Sequence, residues 1–207
     1  MPLNQIGCSI NMLSDFLRMI KGFVLFIGPS SAGKTSILRR LVTGKFYDQE
    51  PTLNFYQENI AKVRVIEIGG QTSLRDYWKI AFERKPVKIF FVIDITKEDD
   101  YTEYLEFINE ISELYPYSSE ITTLIANKTD LTDSLPDYLD IDNYFIRSSA
   151  KNGAGMLDIL EILSNLEGQT KSLEPNKSAE RVSEDQSSNQ TDGEKAESLL
   201  DEFQGKF

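Results

Sequence analysis

Residues 28–35 have the types and spacing that suit phosphate chemistry. They read G-P-S-S-A-G-K-T and fit the pattern G-x-x-x-x-G-K-[ST], directly after a predicted strand and before a predicted helix. In such a loop, backbone N–H groups and the helix N-terminus point at phosphate oxygens. Lys34 adds a charge for the β- and γ-phosphates, and the Thr35 hydroxyl is a ligand for Mg²⁺. The residues predicted to bind the phosphates are Gly28, Ser30, Ser31, Ala32, Gly33, Lys34, Thr35 and Ser36.

Two further segments carry groups that select a base. Residues 127–130 read N-K-T-D at the end of a predicted buried strand. The Asp130 carboxylate can accept hydrogen bonds from N1–H and the 2-amino group of guanine, a donor pair that adenine lacks. Residues 149–151 follow the next strand and offer a backbone N–H to the guanine oxygen, at the same sheet edge. The residues predicted to hold the base of GTP or GDP are Asn127, Lys128, Asp130, Ser149, Ala150 and Lys151.

A glycine pair between a predicted strand and helix suits the attack of water on the terminal phosphate. Residues 67–71 read E-I-G-G-Q. The Gly70 N–H can bind the γ-phosphate, and Gln71 can orient a water molecule for in-line attack. Beside a phosphate-binding loop, this segment favours GTP hydrolysis over a purely structural turn. Gln71 is therefore the predicted catalytic residue.

The elements that position these residues alternate along the chain. Apolar runs predict strands over residues 23–27, 53–59, 62–68, 87–94, 121–127 and 143–147, and helical periodicity predicts helices over residues 35–42, 74–82, 101–115 and 154–166. This alternation predicts a doubly wound α/β fold, with a mostly parallel six-stranded sheet, one antiparallel edge strand and helices on both faces.

The two ends of the chain differ from this middle part. Apolar residues recur at helical spacing before the first strand, which predicts an amphipathic helix over residues 10–20. Residues 167–207 contain ten acidic and five basic residues and few large apolar ones, so disorder is expected there. The predicted organisation is an N-terminal helix in residues 1–21, a globular domain in residues 22–166 and an acidic tail in residues 167–207.

Composition excludes several classes of function. Histidine is absent and Cys8 is the one cysteine, which excludes histidine-dependent catalysis, intramolecular disulfides and zinc sites built from these residues. Lys and Arg number 22 against 33 Asp and Glu, and the net charge of -11 argues against a nucleic-acid partner. Neither a membrane span nor a signal peptide is expected, so we predict a cytoplasmic protein that can contact a membrane peripherally.

Taken together, these motifs resemble the Ras-like small GTPases, and among them the Arf and Arf-like branch. Residues 69–78 read G-G-Q-T-S-L-R-D-Y-W, close to the G-G-Q-x-x-x-R-x-x-W of that branch, and Pro51 and Thr52 resemble its P-T dipeptide. The resemblance covers about residues 10–166. It implies that Thr52 ligates Mg²⁺ and contacts the γ-phosphate when GTP is bound. It also implies that residues 46–54 and 69–84 are the two switches, and that an effector, an exchange factor and an activating protein contact them. It also implies an N-terminal helix that packs on the domain with GDP and is released with GTP; the alternative is a helix that stays docked in both states as a fixed brace.

Four features depart from that branch. Glu67 stands where the resemblance implies an aspartate that contacts Mg²⁺ through water. The hairpin between Thr52 and Gly70 is shorter than in Arf proteins, and residues 131–143 are too few for more than a single turn around residues 136–139. Pro2 takes the position of the glycine that N-myristoylation needs, and Phe207 with no cysteine nearby argues against prenylation. The N-terminal helix alone then predicts at most weak, reversible membrane contact.

Two other functions compete with a slow GTP-hydrolysing switch. One is a GTP-loaded binding module without hydrolysis, like the β subunit of the signal-recognition-particle receptor. Glu67 favours that module mildly, whereas Gln71 favours hydrolysis. The other is a P-loop kinase or ATPase, which residues 127–130 disfavour because their aspartate suits guanine.

Overall fold

The computed structural model describes Asp15 and residues 20–47, 55–132, 134–139 and 145–167. In these ranges six strands form one sheet in the order β2-β3-β1-β4-β5-β6. The strands are β1 Phe23–Ile27, β2 Phe55–Ile60, β3 Val63–Ile68, β4 Lys88–Asp94, β5 Thr122–Asn127 and β6 Phe145–Arg147. The α-helices are α1 Lys34–Thr43, α2 Arg75–Glu83, α3 Glu98–Leu114, α4 Ser118–Ile121 and α5 Met156–Asn165, with 3₁₀ turns at Thr72–Leu74 and Thr129–Leu131.

The sheet is parallel except at one edge, which confirms the predicted fold class. The central strand β1 is buried along its whole length and runs parallel to β3 and β4. The β4–β5 and β5–β6 pairs are also parallel, whereas β2 is antiparallel to β3. Ala61 and Lys62 connect β2 to β3 with φ angles of 51° and 61°, the left-handed conformation of a tight hairpin turn.

Helices cover both faces of the sheet because strand side chains alternate between them. On one face, Trp78 of α2 packs edge-on against Phe91 of β4 and Phe107 of α3, with ring centroids 5.9 Å and 5.7 Å apart. On the other face, Phe26 of β1 packs with Ile37 of α1 and with apolar residues of α5. These two clusters fix the carboxyl ends of the strands, where the predicted motifs begin.

Element boundaries differ from the predicted ones by a few residues. The helix predicted over residues 101–115 begins at Glu98, because the acidic side chains at 98–100 suit the positive end of a helix dipole. The sequence analysis missed the one-turn helix α4 that follows Pro116. The turn predicted around residues 136–139 is present, with the Leu139 N–H donating to the Pro136 carbonyl at 3.1 Å.

Several predictions concern residues outside the described ranges. Of the predicted N-terminal helix, the structure describes Asp15, which is helical and exposed, and Ile20, which is buried in the core cluster. Pro51, Thr52 and residues 168–207 lie outside the described residues. No helix in the described ranges has both the length and the apolarity to cross a membrane.

Candidate functional site: a cleft at the carboxyl ends of the strands

A cleft of about 520 Å³ opens at the carboxyl ends of β1, β3 and β5. Its walls come from the loop between β1 and α1, from the residues after β3, and from the loops that follow β5 and β6. In a doubly wound sheet, ligands bind in such a crevice outside the carboxyl ends of the strands. The lining residues are Ser30, Ser31, Gly33, Lys34, Thr35, Ser36, Phe46, Glu67, Gly69, Gly70, Asn127, Lys128, Asp130, Leu131, Ala150 and Lys151.

The loop between β1 and α1 wraps around the ammonium group of Lys34. Its Nζ donates to the carbonyl oxygens of Gly28 at 2.8 Å and Pro29 at 2.7 Å. Burial lowers the pKa of Lys34 to about 8, against the opposing effect of the Glu67, Glu103 and Asp100 carboxylates. A phosphate group in the cleft would supply a counter-charge at short range.

Gly33 allows this loop to enter helix α1. It precedes the helix with a φ of +94°, and a Cβ at this position would lie 2.3 Å from Nδ2 of Asn127. A side chain is therefore excluded by both conformation and space. The N–H groups of the first helical turn face the cleft as a result, which is the arrangement that binds phosphate oxygens.

Thr35 and Glu67 meet at the floor of the cleft. The Thr35 hydroxyl donates to Oε1 of Glu67 at 2.6 Å, and Glu67 is buried. Within the described residues there is no group of three or more His, Cys, Asp or Glu side chains that could hold a metal ion. The donor set does suit Mg²⁺, which takes one or two protein oxygens and completes its shell with phosphate oxygens and water.

The backbone of Gly70 lies against the phosphate-binding loop. A Cβ on Gly70 would come within 2.2 Å of the Gly28 carbonyl oxygen and 2.5 Å of the Ser30 nitrogen. The structure therefore requires glycine here and brings the loop after β3 to the phosphate end of the cleft. Gln71, the predicted catalytic residue, follows directly and precedes the 3₁₀ turn, but its side chain does not line the cleft in this structure.

Asn127 connects the loop before α1 with the loop that follows β6. Its Nδ2 donates to the Ala32 carbonyl at 2.9 Å, and its Oδ1 accepts from the Ser148 hydroxyl at 3.2 Å and from the Ala150 N–H at 3.3 Å. The side chain is buried. Its predicted role was to pack beside the base, and the structure gives it a bracing role between three loops.

Asp130, the predicted guanine-binding carboxylate, lines the cleft beside the segment that follows β6. Its Oδ1 accepts from the Ser149 hydroxyl at 2.5 Å, and its Oδ2 lies 3.8 Å from Nζ of Lys151. Both contacts come from the segment predicted to complete the base site. Such hydrogen bonds orient the carboxylate before any ligand arrives, which lowers the cost of binding.

Lys128 forms an ion pair that the sequence analysis did not predict. Its Nζ lies 2.7 Å from Oδ2 of Asp94, the last residue of β4, whose side chain is 3% exposed. Burial raises the pKa of Asp94, but hydrogen bonds from Lys128 and Thr96 outweigh it and bring the pKa below its ordinary value. Asp94 therefore remains ionised and holds the lysine stem along the cleft wall.

Most of the predicted site residues line this cleft. Gly28, Ala32 and Ser149 do not line it but bond to residues that do. Sequence reasoning did not single out Leu131 or Asp94, and Phe46 was named only as the start of a switch. Asp94 could have been found from the sequence, because it is an acidic residue at the end of a predicted buried strand. Leu131 could not, because an apolar residue in a loop does not indicate a binding site.

A mostly parallel α/β sheet with a phosphate-binding loop after β1 and an N-K-T-D loop after β5 is the architecture of a P-loop GTPase. The chain belongs to the ADP-ribosylation factor family, whose family model matches residues 10–165. It is therefore a small GTP-binding switch protein with GTPase activity, and the non-hydrolysing alternative is not favoured.

Individual relatives agree with this assignment. The chain is 31% identical over 169 residues to ADP-ribosylation factor 1 of Brassica rapa, covering 74% of this chain and 92% of that protein. It is 30% identical over 161 residues to ADP-ribosylation factor-like protein 1 of Drosophila melanogaster, covering 69% and 87%. A match to human ADP-ribosylation factor-like protein 4C is 30% identical over 135 residues, covering 61% and 70%.

Proposed function

We propose that the cleft binds GTP or GDP together with Mg²⁺, and that residues 22–166 form the GTPase domain. One observation carries this proposal: the phosphate-binding loop and the N-K-T-D loop open into one cleft and are joined by the Asn127–Ala32 hydrogen bond. The phosphates would lie on the loop before α1, and the base would lie against Asp130. The family match over residues 10–165 ends one residue before the proposed domain end and begins twelve residues before its start, within the N-terminal segment.

Each side chain at the phosphate end has a separate task in this proposal. Lys34 balances charge on the β- and γ-phosphates, and the Gly70 N–H meets the γ-phosphate. Thr35 ligates Mg²⁺, and Thr52 joins it when GTP is bound. The bound ion neutralises charge on the phosphate oxygens. Gln71 turns toward the γ-phosphate and orients the attacking water. Slow turnover is expected without an activating protein that stabilises the transition state.

Residues 46–54 and 69–84 are proposed to change conformation with the bound nucleotide. They are also proposed to contact an effector, an exchange factor and an activating protein. In the second of these switches, Arg75 and Lys79 of α2 lie 2.7 Å and 2.9 Å from Glu103 and Glu110 of α3. These pairs are partly exposed and so contribute little to stability, which is compatible with a helix that shifts between two states.

Direct measurement of nucleotide tests this function. Protein purified without added nucleotide is denatured, and any released nucleotide is identified by chromatography; GDP or GTP is expected. Phosphate release is then measured with GTP and with ATP in the presence of Mg²⁺. Release from ATP, or adenine nucleotide in the released fraction, would contradict the guanine assignment.

Replacement of Gln71 by leucine is expected to leave GTP binding within about threefold of wild type and to slow hydrolysis by roughly tenfold or more. The reason is that Gln71 orients water only during the reaction and makes no ground-state contact with phosphate. Single-turnover phosphate release, with binding of a fluorescent GTP analogue measured in parallel, gives both quantities. An unchanged hydrolysis rate would remove Gln71 from the mechanism.

The N-terminal segment is proposed to give a cytoplasmic protein weak, reversible contact with membranes. Its apolar residues can bury in a lipid surface, but Asp15 and Arg18 give it no net attraction to anionic lipid. Liposome co-sedimentation is expected to increase when GTP replaces GDP, and protease cleavage near Arg18 and Lys21 is expected to increase with it. Equal sedimentation and cleavage with both nucleotides would show that the segment is a fixed brace.

A further inference from the structure

Glu67 is a buried carboxylate at the floor of the cleft, where the resemblance implies a shorter aspartate. It is 1% exposed and contributes to the cleft lining. Its Oε1 atom accepts the Thr35 hydroxyl at 2.6 Å. An acidic side chain thus lies in direct contact with the hydroxyl proposed to ligate Mg²⁺.

The direction of Glu67 follows from the alternation of side chains along β3. Val63 and Val65 pack in the cluster that includes α1, whereas Ile66 and Ile68 pack on the opposite face. Glu67 shares the face of Val65 and therefore points at the first turn of α1. Its backbone is fixed by pairing with Phe26 on one side and Tyr56 on the other.

We propose that Glu67 binds Mg²⁺ directly, next to Thr35 in the coordination shell, in place of a water molecule. The inference rests on the proposed nucleotide site. Two oxygen ligands in adjacent octahedral positions around Mg²⁺ are about 2.9 Å apart, since each lies about 2.05 Å from the ion. The present separation of 2.6 Å between Oε1 and Oγ1 needs to change by only a few tenths of an ångström.

An aspartate at this position would not reach as far. Its side chain is one carbon–carbon bond shorter, about 1.5 Å, and the paired strand leaves the backbone little freedom to follow. A carboxylate set back by that distance leaves room for a water molecule between itself and the ion. The longer Glu67 removes that room and brings its negative charge into contact with the metal.

The number of water molecules on the metal tests this proposal. The full chain is loaded with GDP and Mn²⁺, which serves as the paramagnetic probe, and its electron paramagnetic resonance spectrum is recorded in water enriched in ¹⁷O. Line broadening reports the number of bound waters. We expect one fewer water in the wild-type protein than in Glu67→Asp. Equal numbers in the two proteins would overturn the proposal.

Two further measurements keep the test decisive. If Glu67→Asp does not fold, the number of waters bound to Mn²⁺ in the wild-type protein decides. A six-coordinate ion that binds one phosphate oxygen, Thr35 and Glu67 retains about three waters. Without Glu67 as a ligand it would retain about four. Glu67→Gln, which keeps the length but loses the charge, is expected to raise the Mn²⁺ concentration for half-saturation of the GDP complex at least tenfold. An unchanged value would contradict direct binding.

The control variant is Glu106→Gln, which removes a charge from the exposed surface of α3 and should leave the metal titration unchanged. Failure of the underlying nucleotide site has a different signature. A wild-type protein that retains no GDP in the presence of Mn²⁺ would contradict the proposed function. Retention of GDP with equal water counts would contradict only the direct Glu67–metal bond.

Discussion

The Lys34→Ala protein is expected to bind GDP and GTP at least 100-fold more weakly than wild type. The ammonium is buried at the phosphate end of the cleft, where charge-assisted contacts with phosphate oxygens are worth roughly 1.5–3 kcal/mol each. Alanine removes that charge and leaves the phosphates facing only backbone N–H groups. Equilibrium titration with a fluorescent GDP analogue measures the loss.

The Lys34 substitution also removes two hydrogen bonds to loop carbonyls, so folding needs its own control. Thermal unfolding without nucleotide should show whether the variant retains its structure. Lys85→Ala is the matched variant, because Lys85 is exposed and follows α2 at the opposite end of the sheet. It should bind GDP as wild type does. A folded Lys34→Ala protein with wild-type affinity would contradict the proposed phosphate site.

The second large effect is expected from Asp130→Asn. The substitution replaces one carboxylate oxygen with an N–H₂ donor that faces the donor groups of guanine, and it removes the charge from the hydrogen bonds that remain. An unpaired buried donor and a lost charged hydrogen bond cost several kcal/mol together, so we expect affinity for GTP to fall at least 100-fold. Competition binding against GTP gives the value.

Two comparisons separate base recognition from damage to the loop. Xanthosine nucleotides carry an oxygen where guanine has its amino group, so Asp130→Asn should prefer them to GTP. Ser149→Ala keeps the carboxylate and removes the hydroxyl that donates to it at 2.5 Å and that also accepts the Asn152 N–H at 3.3 Å. Ser149→Ala is expected to weaken GTP binding by about 1 kcal/mol. If Asp130→Asn bound GTP as tightly as the wild-type protein, the guanine site would lie elsewhere.

Local sequence patterns predicted the sheet and the position of the cleft. A phosphate-binding motif between a strand and a helix has one arrangement of loop and helix. The sequence alone therefore predicted that Gly33 and Lys34 lie at the start of α1. The N-K-T-D loop is a similar case, since the carboxyl end of a parallel strand determines where its side chains lie.

Contacts between distant parts of the chain were not predictable in the same way. The Thr35–Glu67 and Lys128–Asp94 bonds join residues 32 and 34 positions apart. Their formation depends on strand register and on rotamers, neither of which appears in residue spacing. The start of α3 at Glu98 was missed for another reason, because apolar periodicity does not register a first turn made of three acidic residues.

The bracing position of Asn127 is expected to couple the two ends of the proposed nucleotide site. Because one amide holds the carbonyl of Ala32 and the N–H of Ala150, a ligand group that orders either loop also orders the other. The entropy cost of ordering the two loops is then paid once, and the second half of the nucleotide binds to a loop that is already ordered. Guanosine and pyrophosphate added as separate molecules are therefore expected to bind cooperatively, each raising the affinity for the other. Substitutions at the two ends should likewise be non-additive.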